Sequence, residues 1–278
     1  MPWEYTEEYY REYTRTTWNE SAEAYSAFMA RLAPFRAGLV HRLLACPGES
    51  VLDLGTGPGE PALTIAGQVA PSGRVVGVDL SEKMIGIAQR TATQRGVTNA
   101  EFRVMDSSKL DLSDRTFDGV VSSFGFQIFT DPAAAGREAH RVLKPGGRIA
   151  VGIWSTGDRV PFLDVLIAPM LAHAEPDETG YLPTPYETGG PGELARLLTE
   201  CGFHAATESR ESRDFSFATP EEYLDMVLRG TPIGHSLGEE TAEVQAEVLR
   251  ATRANLERYR TPGGIVLAGE CVFVTALA

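Results

Sequence analysis

The sequence from residue 51 to residue 60 is Val51-Leu52-Asp53-Leu54-Gly55-Thr56-Gly57-Pro58-Gly59-Glu60. Its apolar residues around a single carboxylate predict a buried strand, and glycine at every second position after them predicts a tight turn. The next segment begins with Pro61 and can start a helix, because proline is tolerated in a first helical turn. A strand, a glycine turn and a helix together are typical of a nucleotide-binding element.

Strands and helices alternate along the whole region from residue 49 to residue 153. The sequence predicts strands at 51–55, 74–79, 101–106, 117–123 and 148–154, and helices at 60–70, 81–95 and 131–143. This alternation indicates βαβ units and a parallel sheet. Because right-handed crossovers bring the carboxyl ends of parallel strands to one edge, we expect Asp53, Asp79 and Asp106 to meet at the ligand-binding edge.

The regular alternation stops after residue 154. Proline and glycine are frequent from 158 to 192 and predict an irregular insertion with one helix near 163–173. Further on, we predict helices at 193–201, after Thr219 and at 239–260, with strands at 204–217 and 270–277. The chain then divides, within a single domain, into an N-terminal helical extension (1–48), a cofactor-binding core (49–157), two substrate-cap insertions (158–192 and 213–263) and two segments that complete the sheet (193–212 and 264–278).

The N-terminal extension is unusually rich in aromatic residues at helical spacing, among them Tyr9, Tyr10, Tyr13, Trp18, Tyr25 and Phe28. One interpretation is a packing face against the body or against a second subunit, which would make the protein a homo-oligomer. The other is a lid whose aromatic faces meet a cation or an apolar substrate. The sequence leaves both open.

Composition narrows the classes of partner. The 278 residues include 38 acidic and 25 basic ones, for a formal net charge of −13. Such a surface repels phosphate backbones and anionic membranes, so we expect neither a nucleic acid nor a membrane as partner. No secretion signal or bilayer-spanning run is visible. The three cysteines are far apart and fit neither a disulfide framework nor a metal site, which favours a reducing, cytoplasmic setting without a structural metal.

The glycine turn itself indicates which nucleotide it binds. Its spacing from Gly55 to Gly59 is GxGxG, whereas dinucleotide sites use GxGxxG. Asp53, inside the preceding strand, would repel a pyrophosphate, and no second mononucleotide-binding half follows. An edge lined by acids better suits a ligand with an ammonium group, a sulfonium and a ribose, which is S-adenosylmethionine.

Several motifs in order resemble those of the class I S-adenosylmethionine-dependent methyltransferases. They are 51–59, 76–81 (Val76 to Ser81), 104–107 (Val104 to Ser107), 117–123 and 141–148. The stretch from Phe124 to Pro132 is similar to the small-molecule branch of quinone-biosynthesis and sterol-type C-methyltransferases. The resemblance implies a Rossmann-like, seven-stranded, mostly parallel α/β sheet whose last strand is antiparallel. It covers the cofactor half and says little about residues 158–263.

The resemblance also implies roles in binding S-adenosylmethionine. Asp53 would meet the ammonium group, directly or through water, and Asp79 would accept both ribose hydroxyls. Asp106 would accept from the adenine amino group. The implied cofactor residues are Tyr25, Asp53, Gly55, Thr56, Gly57, Gly59, Asp79, Leu80, Met84, Asp106, Ser107, Ser123 and Phe124. Tyr25 completes a Trp18-x-x-x-Ala22-x-x-Tyr25 pattern similar to that of the helix covering the cofactor, and it either faces the sulfonium or is a packing residue.

The methyl acceptor is predicted to be a small, largely apolar secondary metabolite, because the insertions are rich in apolar residues. Candidate acceptor contacts are Gln127, Phe162, Met170 and Tyr223, and His173, His235 and Tyr25 are the candidates for a catalytic group. The sterol-like resemblance and the aromatic extension favour C-methylation of an isoprenoid or terpenoid alkene, coupled to rearrangement or cyclisation of a carbocation. O-methylation of a hydroxylated metabolite is the close rival. An RNA or protein methyltransferase and a non-catalytic cofactor binder fit less well.

Overall fold

A single mixed sheet forms the centre of the protein. The computed structural model describes residues 7–174, 186 and 188–278. The strands are β1 (Ser50–Leu54), β2 (Arg74–Asp79), β3 (Ala100–Val104), β4 (Phe117–Ser123), β5 (Leu143–Trp154), β6 (His204–Phe217), β7 (Arg260–Thr261) and β8 (Gly264–Leu277). Their order is β3-β2-β1-β4-β5-β8-β6, and the two-residue β7 pairs with β8. Only β8 runs antiparallel to its neighbours β5, β6 and β7, which confirms the predicted mostly parallel fold class with a reversed last strand. The described sheet has eight strands, where seven were predicted, because the short β7 also belongs to it.

Helices cover both faces of the sheet and build a cap. They are α1 (Glu7–Arg31), α2 (Ala33–Leu43), α3 (Ala62–Val69), α4 (Glu82–Gln94), α5 (Pro132–Val142), α6 (Pro161–Leu171), α7 (Glu193–Glu200), α8 (Pro220–Gly230), α9 (Pro232–Gly238) and α10 (Ala242–Glu257). The predicted caps are confirmed, since the side chains of Ser81, Asp131 and Thr219 accept from backbone N–H groups in the first turns of α4, α5 and α8.

Alternate strand residues pack on opposite faces of the sheet. One hydrophobic cluster contains Val51, Val75 and Val121, and the other contains Leu52, Val76 and Val120. Both faces are therefore buried, as expected for parallel strands covered by crossover helices.

Three boundaries in the C-terminal part differ from the sequence prediction. The helix predicted at 239–260 begins later, because the Thr241 side chain caps α10 by accepting from the Val244 N–H. The segment after Thr219 is divided into α8 and α9 at Pro232, whose missing N–H cannot continue a helix. The last strand begins at Gly264 instead of residue 270, because β6 extends to Phe217 and pairs with β8 along that whole length. Much of the predicted insertion at 158–192 lies outside the described residues.

The N-terminal helix α1 packs on the body of its own chain. It contacts α4, α8 and α9, and α10 packs against α6 to complete the cap. The Phe28 ring stacks on Phe162 of α6 with centroids 5.8 Å apart, and Arg31 forms a 2.8 Å ion pair with Glu222 of α8. Within the described part of the chain, no helix is long and apolar enough to cross a membrane.

Candidate functional site

The glycine turn after β1 has the backbone conformation that its sequence predicts. Gly55, Gly57 and Gly59 all have positive φ, at 68°, 53° and 106°. The Thr56 N–H donates to the Val78 carbonyl of β2 at 2.9 Å, so the turn is fixed to the neighbouring strand. The carboxyl ends of β1, β2 and β4 thus surround a turn whose backbone a ligand can approach closely.

Asp79, at the end of β2, connects this turn to helix α4. Its Oδ2 accepts from the Gly57 N–H and its Oδ1 from the Ser81 N–H, both at 2.9 Å. Burial raises the pKa of the Asp79 carboxyl, and the backbone N–H donors oppose that rise. The carboxylate is therefore fixed in place beside the cavity, where a pair of ribose hydroxyls can reach it.

Asp53 lies beneath the turn and is fully buried. Its Oδ2 accepts from the Thr56 hydroxyl at 2.7 Å and from the Ala62 N–H at 3.2 Å. Its Oδ1 and the buried Ser123 Oγ have no hydrogen-bond partner among the described residues. Burial raises the pKa of the Asp53 carboxyl to about 7, and the Thr56 hydroxyl opposes that rise. Buried polar atoms without partners are rare, so this site fits a ligand that brings donors, such as the ammonium group of S-adenosylmethionine.

Most of the predicted cofactor residues line one cavity at this edge, which we call the cofactor cavity. These are Tyr25, Gly55, Gly57, Asp79, Leu80, Met84, Asp106, Ser107, Ser123 and Phe124. The predicted residues Asp53, Thr56 and Gly59 are outside the lining, and all three are buried. The sequence analysis missed Thr14 and Arg15 of α1, which line the cavity but belong to no motif.

Helix α1 closes over this cavity through polar contacts. Arg11 Nε lies 2.8 Å from Asp106 Oδ2, and Arg15 donates to Glu82 at 3.0 Å. Asn19 contacts the start of α4, where its Oδ1 accepts from the Ser81 hydroxyl at 2.6 Å. The helix predicted to be either a packing face or a lid is thus packed on the body and also covers the site.

A second and larger cavity of about 560 Å³, which we call the acceptor cavity, adjoins the first. Aromatic rings dominate its lining: Tyr10, Tyr13, Trp18, Tyr25, Phe28, Phe124, Phe126, Phe129 and Trp154. Thr14, Trp18, Tyr25, Phe124, Ile128, Phe129 and Thr130 line both cavities and form a shared wall. The volume is in the range of small-molecule sites.

One of the four predicted acceptor contacts lines the acceptor cavity, and the other three pack elsewhere in the cap. Gln127 lines the acceptor cavity, whereas Phe162, Met170 and Tyr223 lie outside its lining. Phe162 is fully buried and stacks on Phe215 with centroids 4.0 Å apart, and the Tyr223 hydroxyl donates to the Phe162 carbonyl at 2.9 Å. Met170 packs against the same core cluster from the side. These apolar residues hold the cap together, and from α6 only the neighbouring Leu163 reaches the cavity.

The candidate histidines lie outside both cavity linings. His173 Nε2 is 3.6 Å from Glu247 of α10. His235 Nδ1 is 2.6 Å from Glu20 of α1, and its ring meets the edge of the Tyr13 ring with centroids 5.9 Å apart. Tyr13, which His235 contacts, belongs to the lining of the acceptor cavity. Tyr25 is the candidate that lines both cavities, and burial raises the pKa of its phenol, which keeps it protonated.

Known proteins of similar sequence include methyltransferases, which agrees with a site for S-adenosylmethionine. Residues 51–147 match the family model described as a methyltransferase domain. A demethylmenaquinone methyltransferase of Thermus thermophilus is 36% identical over 172 residues, 58% of this chain and 76% of that protein. The chain therefore belongs to the S-adenosylmethionine-dependent methyltransferases, as the motifs predicted.

Other relatives include enzymes named for different acceptor atoms. A ubiquinone/menaquinone biosynthesis C-methyltransferase of Hydrogenovibrio crunogenus is 38% identical over 106 residues, 38% of this chain and 42% of that protein. A nocamycin O-methyltransferase of Saccharothrix syringae is 31% identical over 186 residues, 63% of this chain and 66% of that protein. The matched segments span only 34% and 27% of two further curated relatives.

Among solved structures, the YcgJ protein of Bacillus subtilis superimposes with a TM-score of 0.59 at 17% sequence identity. The superposition covers 87% of this chain and 97% of that one. At this level of identity the likeness concerns the fold alone.

Proposed function

We propose that the protein transfers a methyl group from S-adenosylmethionine to a small, largely apolar metabolite of secondary metabolism. The observation that carries this proposal is the aromatic acceptor cavity of about 560 Å³, which shares a wall with the cofactor cavity. The two cavities adjoin at these shared residues, so a methyl donor in one and an apolar acceptor in the other would meet there for direct transfer.

S-adenosylmethionine, when bound, supplies an electrophilic methyl group on a sulfonium. In this proposal the glycine turn approaches the methionine part and Asp79 accepts from the ribose hydroxyls. Ser123 Oγ receives a donor from the cofactor, and Asp53 Oδ1 receives one directly or through water, since neither atom has a partner among the described residues. Helix α1 covers the junction and excludes water. Positioning of this kind supplies about 7–11 kcal/mol of the barrier in well-oriented reactions, so it can carry much of the catalysis.

The lining of the acceptor cavity favours a carbon atom as the methyl acceptor. No histidine, aspartate or glutamate belongs to that lining in the described part of the chain. A hydroxyl acceptor must lose a proton, and the described lining holds no imidazole or carboxylate to take it. An alkene carbon needs none before transfer, and ring faces such as those of Trp18 and Tyr25 stabilise developing positive charge by about 0.5–2 kcal/mol each. An isoprenoid alkene, with rearrangement or cyclisation of the cation that forms, is our leading substrate class.

O-methylation of a small hydroxylated metabolite is the second candidate. The similarity to a nocamycin O-methyltransferase over 63% of this chain favours it. It would require an acceptor acidic enough to ionise by itself, because the Tyr13 hydroxyl pairs with Ser236 at 2.8 Å and the nitrogens of His235 face Glu20 and Glu239.

The test combines cofactor binding with an acceptor screen. We expect calorimetry to detect S-adenosylmethionine binding, and Asp79→Ala to weaken it at least about tenfold, because two ribose hydroxyls lose an acceptor. Turnover is then measured with a methyl-labelled donor against isoprenoid alkenes and matched hydroxylated aromatics, with mass spectrometry locating the new methyl group. Labelled product from hydroxylated compounds alone selects O-methylation. Cofactor binding without product from either panel contradicts the proposed acceptor class.

A further inference from the structure

Gln127, in the turn after β4, is held in one orientation by the end of β5. The Trp154 backbone N–H donates to Gln127 Oε1 at 2.7 Å. A backbone N–H can only donate, so the side-chain atom that faces it must be the oxygen and not the amide nitrogen. The Nε2 amide, with its two N–H donors, therefore points away from Trp154.

The amide nitrogen has no partner in the described part of the chain, although Gln127 lines the acceptor cavity. Two of the threonine hydroxyls that line this cavity donate to the protein itself. The Thr17 hydroxyl donates to the Thr14 carbonyl at 3.2 Å, and the Thr231 hydroxyl donates to the Val227 carbonyl at 2.7 Å. Gln127 thus presents a fixed pair of donors, which no described residue uses, to a cavity whose lining is rich in aromatic rings.

We infer that the acceptor carries a neutral carbonyl oxygen, which Gln127 Nε2 binds. This inference rests on the proposed function. An amide N–H donates to an oxygen lone pair, and a ketone carbonyl offers two of them. A carboxylate fits less well, because no lysine or arginine belongs to the described lining and an unpaired charge among aromatic rings is costly.

The position of Gln127 further separates this oxygen from the methylated atom. Gln127 lines the acceptor cavity but is not part of the shared wall that borders the cofactor cavity. The carbonyl is therefore an anchoring group, and the methyl group goes to another atom of the same molecule. Donation from Gln127 also draws electron density from the oxygen, which makes that oxygen a poorer nucleophile.

The test uses two neutral probes of similar shape, acetylnaphthalene and ethylnaphthalene, which differ by the carbonyl oxygen. Their dissociation constants are measured by calorimetry for the wild type and for Gln127→Glu. The substituted carboxylate can still accept from the Trp154 N–H, but it presents an oxygen in place of the Nε2 donor. At about pH 8, where it is ionised, we expect the preference for the ketone to fall about tenfold. Below about pH 4, where a glutamate of ordinary pKa is mostly protonated, the carboxyl can donate, and the preference should return.

Infrared spectroscopy of the bound ketone gives a second readout. In the wild type the carbonyl stretch should move to lower frequency on binding, because an N–H donor weakens the C=O bond. Gln127→Met has similar size but no donor, and in this variant the shift should be lost. A folding defect is recognised by thermal unfolding and by the affinity for S-adenosylhomocysteine, since Gln127 is outside the cofactor cavity lining.

Gln68→Glu on α3 is the matched control, because Gln68 is exposed and the charge change is the same. It should leave the probe preference and its pH dependence unchanged. If Gln127→Glu and Gln127→Met keep both the wild-type preference and the infrared shift, the inference is overturned and the proposed function stands. If S-adenosylhomocysteine binds but neither probe does, the apolar acceptor cavity of the proposed function fails, and this inference fails with it.

Discussion

The Ser81 hydroxyl donates to Asn19 Oδ1 at 2.6 Å, so the helix that covers the site is bonded to the residue that caps the helix beneath it. The same Ser81 Oγ accepts from the Met84 N–H at 3.1 Å, and the Ser81 N–H donates to Asp79 at 2.9 Å. One serine thereby connects the covering helix, the start of α4 and the carboxylate expected to bind ribose. Movement of α1 away from the body would therefore break the hydrogen bond to Ser81, which also holds Asp79 at the cofactor cavity.

We predict that Asn19→Ala weakens S-adenosylmethionine binding about tenfold. Asn19 Oδ1 also accepts from the Lys83 N–H at 3.1 Å, and its Nδ2 donates to Glu82 at 2.9 Å, so the change removes every one of these contacts between α1 and α4. Stopped-flow binding should assign most of the loss to faster dissociation, because a bound ligand is retained by the closed helix.

Glu23→Ala is the control for that variant. Glu23 also links α1 to α4, through a 3.0 Å ion pair with Arg90, but its side chain is 81% exposed. Exposed ion pairs contribute about 0–1 kcal/mol, so we expect little change in affinity. Equal losses in the two variants would mean that general docking of α1, and not the contact with Ser81, controls the ligand.

Stability should depend on pH through Asp53. Burial raises its pKa to about 7 in the folded protein, above the ordinary value of about 3.9 in an unfolded chain. Between these values the folded state holds a proton that the unfolded state has lost. The free energy of unfolding should therefore decrease as the pH rises from about 4 to about 7 and level off above that. Urea unfolding of the wild type and of Asp53→Asn across this pH range measures how much of the decrease in unfolding free energy comes from Asp53. A smaller decrease should remain in Asp53→Asn, because the pKa of Asp79 is also raised.

Cofactor binding should release protons for the same reason. A cationic ammonium group near Asp53 favours the ionised carboxyl, so binding near pH 7 expels the proton from the fraction still protonated. Calorimetry in buffers of different ionisation enthalpy measures this release, which Asp53→Asn should abolish. If Asp53→Asn released as many protons as the wild type, the ammonium group of the cofactor would not lie near Asp53.

Periodicity and short motifs were sufficient to predict the cofactor half of the molecule. The glycine turn, the caps at Ser81 and Asp131 and the acids at the strand ends are local features. The structure has the predicted caps, and Asp79 and Asp106 line the cofactor cavity, whereas Asp53 lies outside its lining. The cap was harder, because its helices are apolar on several sides. Phe162 and Tyr223 are large apolar residues of the kind that line a substrate cavity, yet they pack against each other in the core. The composition of a helix does not determine which of its faces points to the cavity and which to the core.

The parts of the site that depend on distant contacts could not be predicted. Arg15 lies 67 positions before its partner Glu82, and no local pattern connects them. The orientation of Gln127 depends on a backbone N–H 27 positions away. The predicted oligomer through α1 stays a prediction, although the structure places much of the aromatic face of that helix against its own chain.

Two glycines should respond in opposite directions to alanine substitution. A Cβ on Gly77 of β2 would lie 2.7 Å from the Phe102 ring and 2.7 Å from Thr56 Oγ1, so Gly77→Ala must displace the group that supports Asp53. We expect a loss of about 1–3 kcal/mol in unfolding free energy, together with weaker cofactor binding. Gly86 of α4 has room, with its nearest contact at 3.6 Å from a flexible arginine, and Gly86→Ala should stabilise by about 0.5–1 kcal/mol. Denaturant unfolding of both variants checks the signs.

Tyr25 should act through its ring and not through its hydroxyl. The ring meets Trp18 edge to face at 4.9 Å and stacks on Phe28 at 5.6 Å, and it lines both cavities, so it lies where donor and acceptor would meet. Because burial raises the pKa of its phenol, the side chain stays neutral and is a poor base at physiological pH. Tyr25→Phe should therefore keep kcat within about threefold, whereas Tyr25→Ala loses two aromatic pairs and should reduce kcat at least about tenfold. Methyl-transfer assays on both variants decide the matter, since equal losses would assign a chemical role to the hydroxyl.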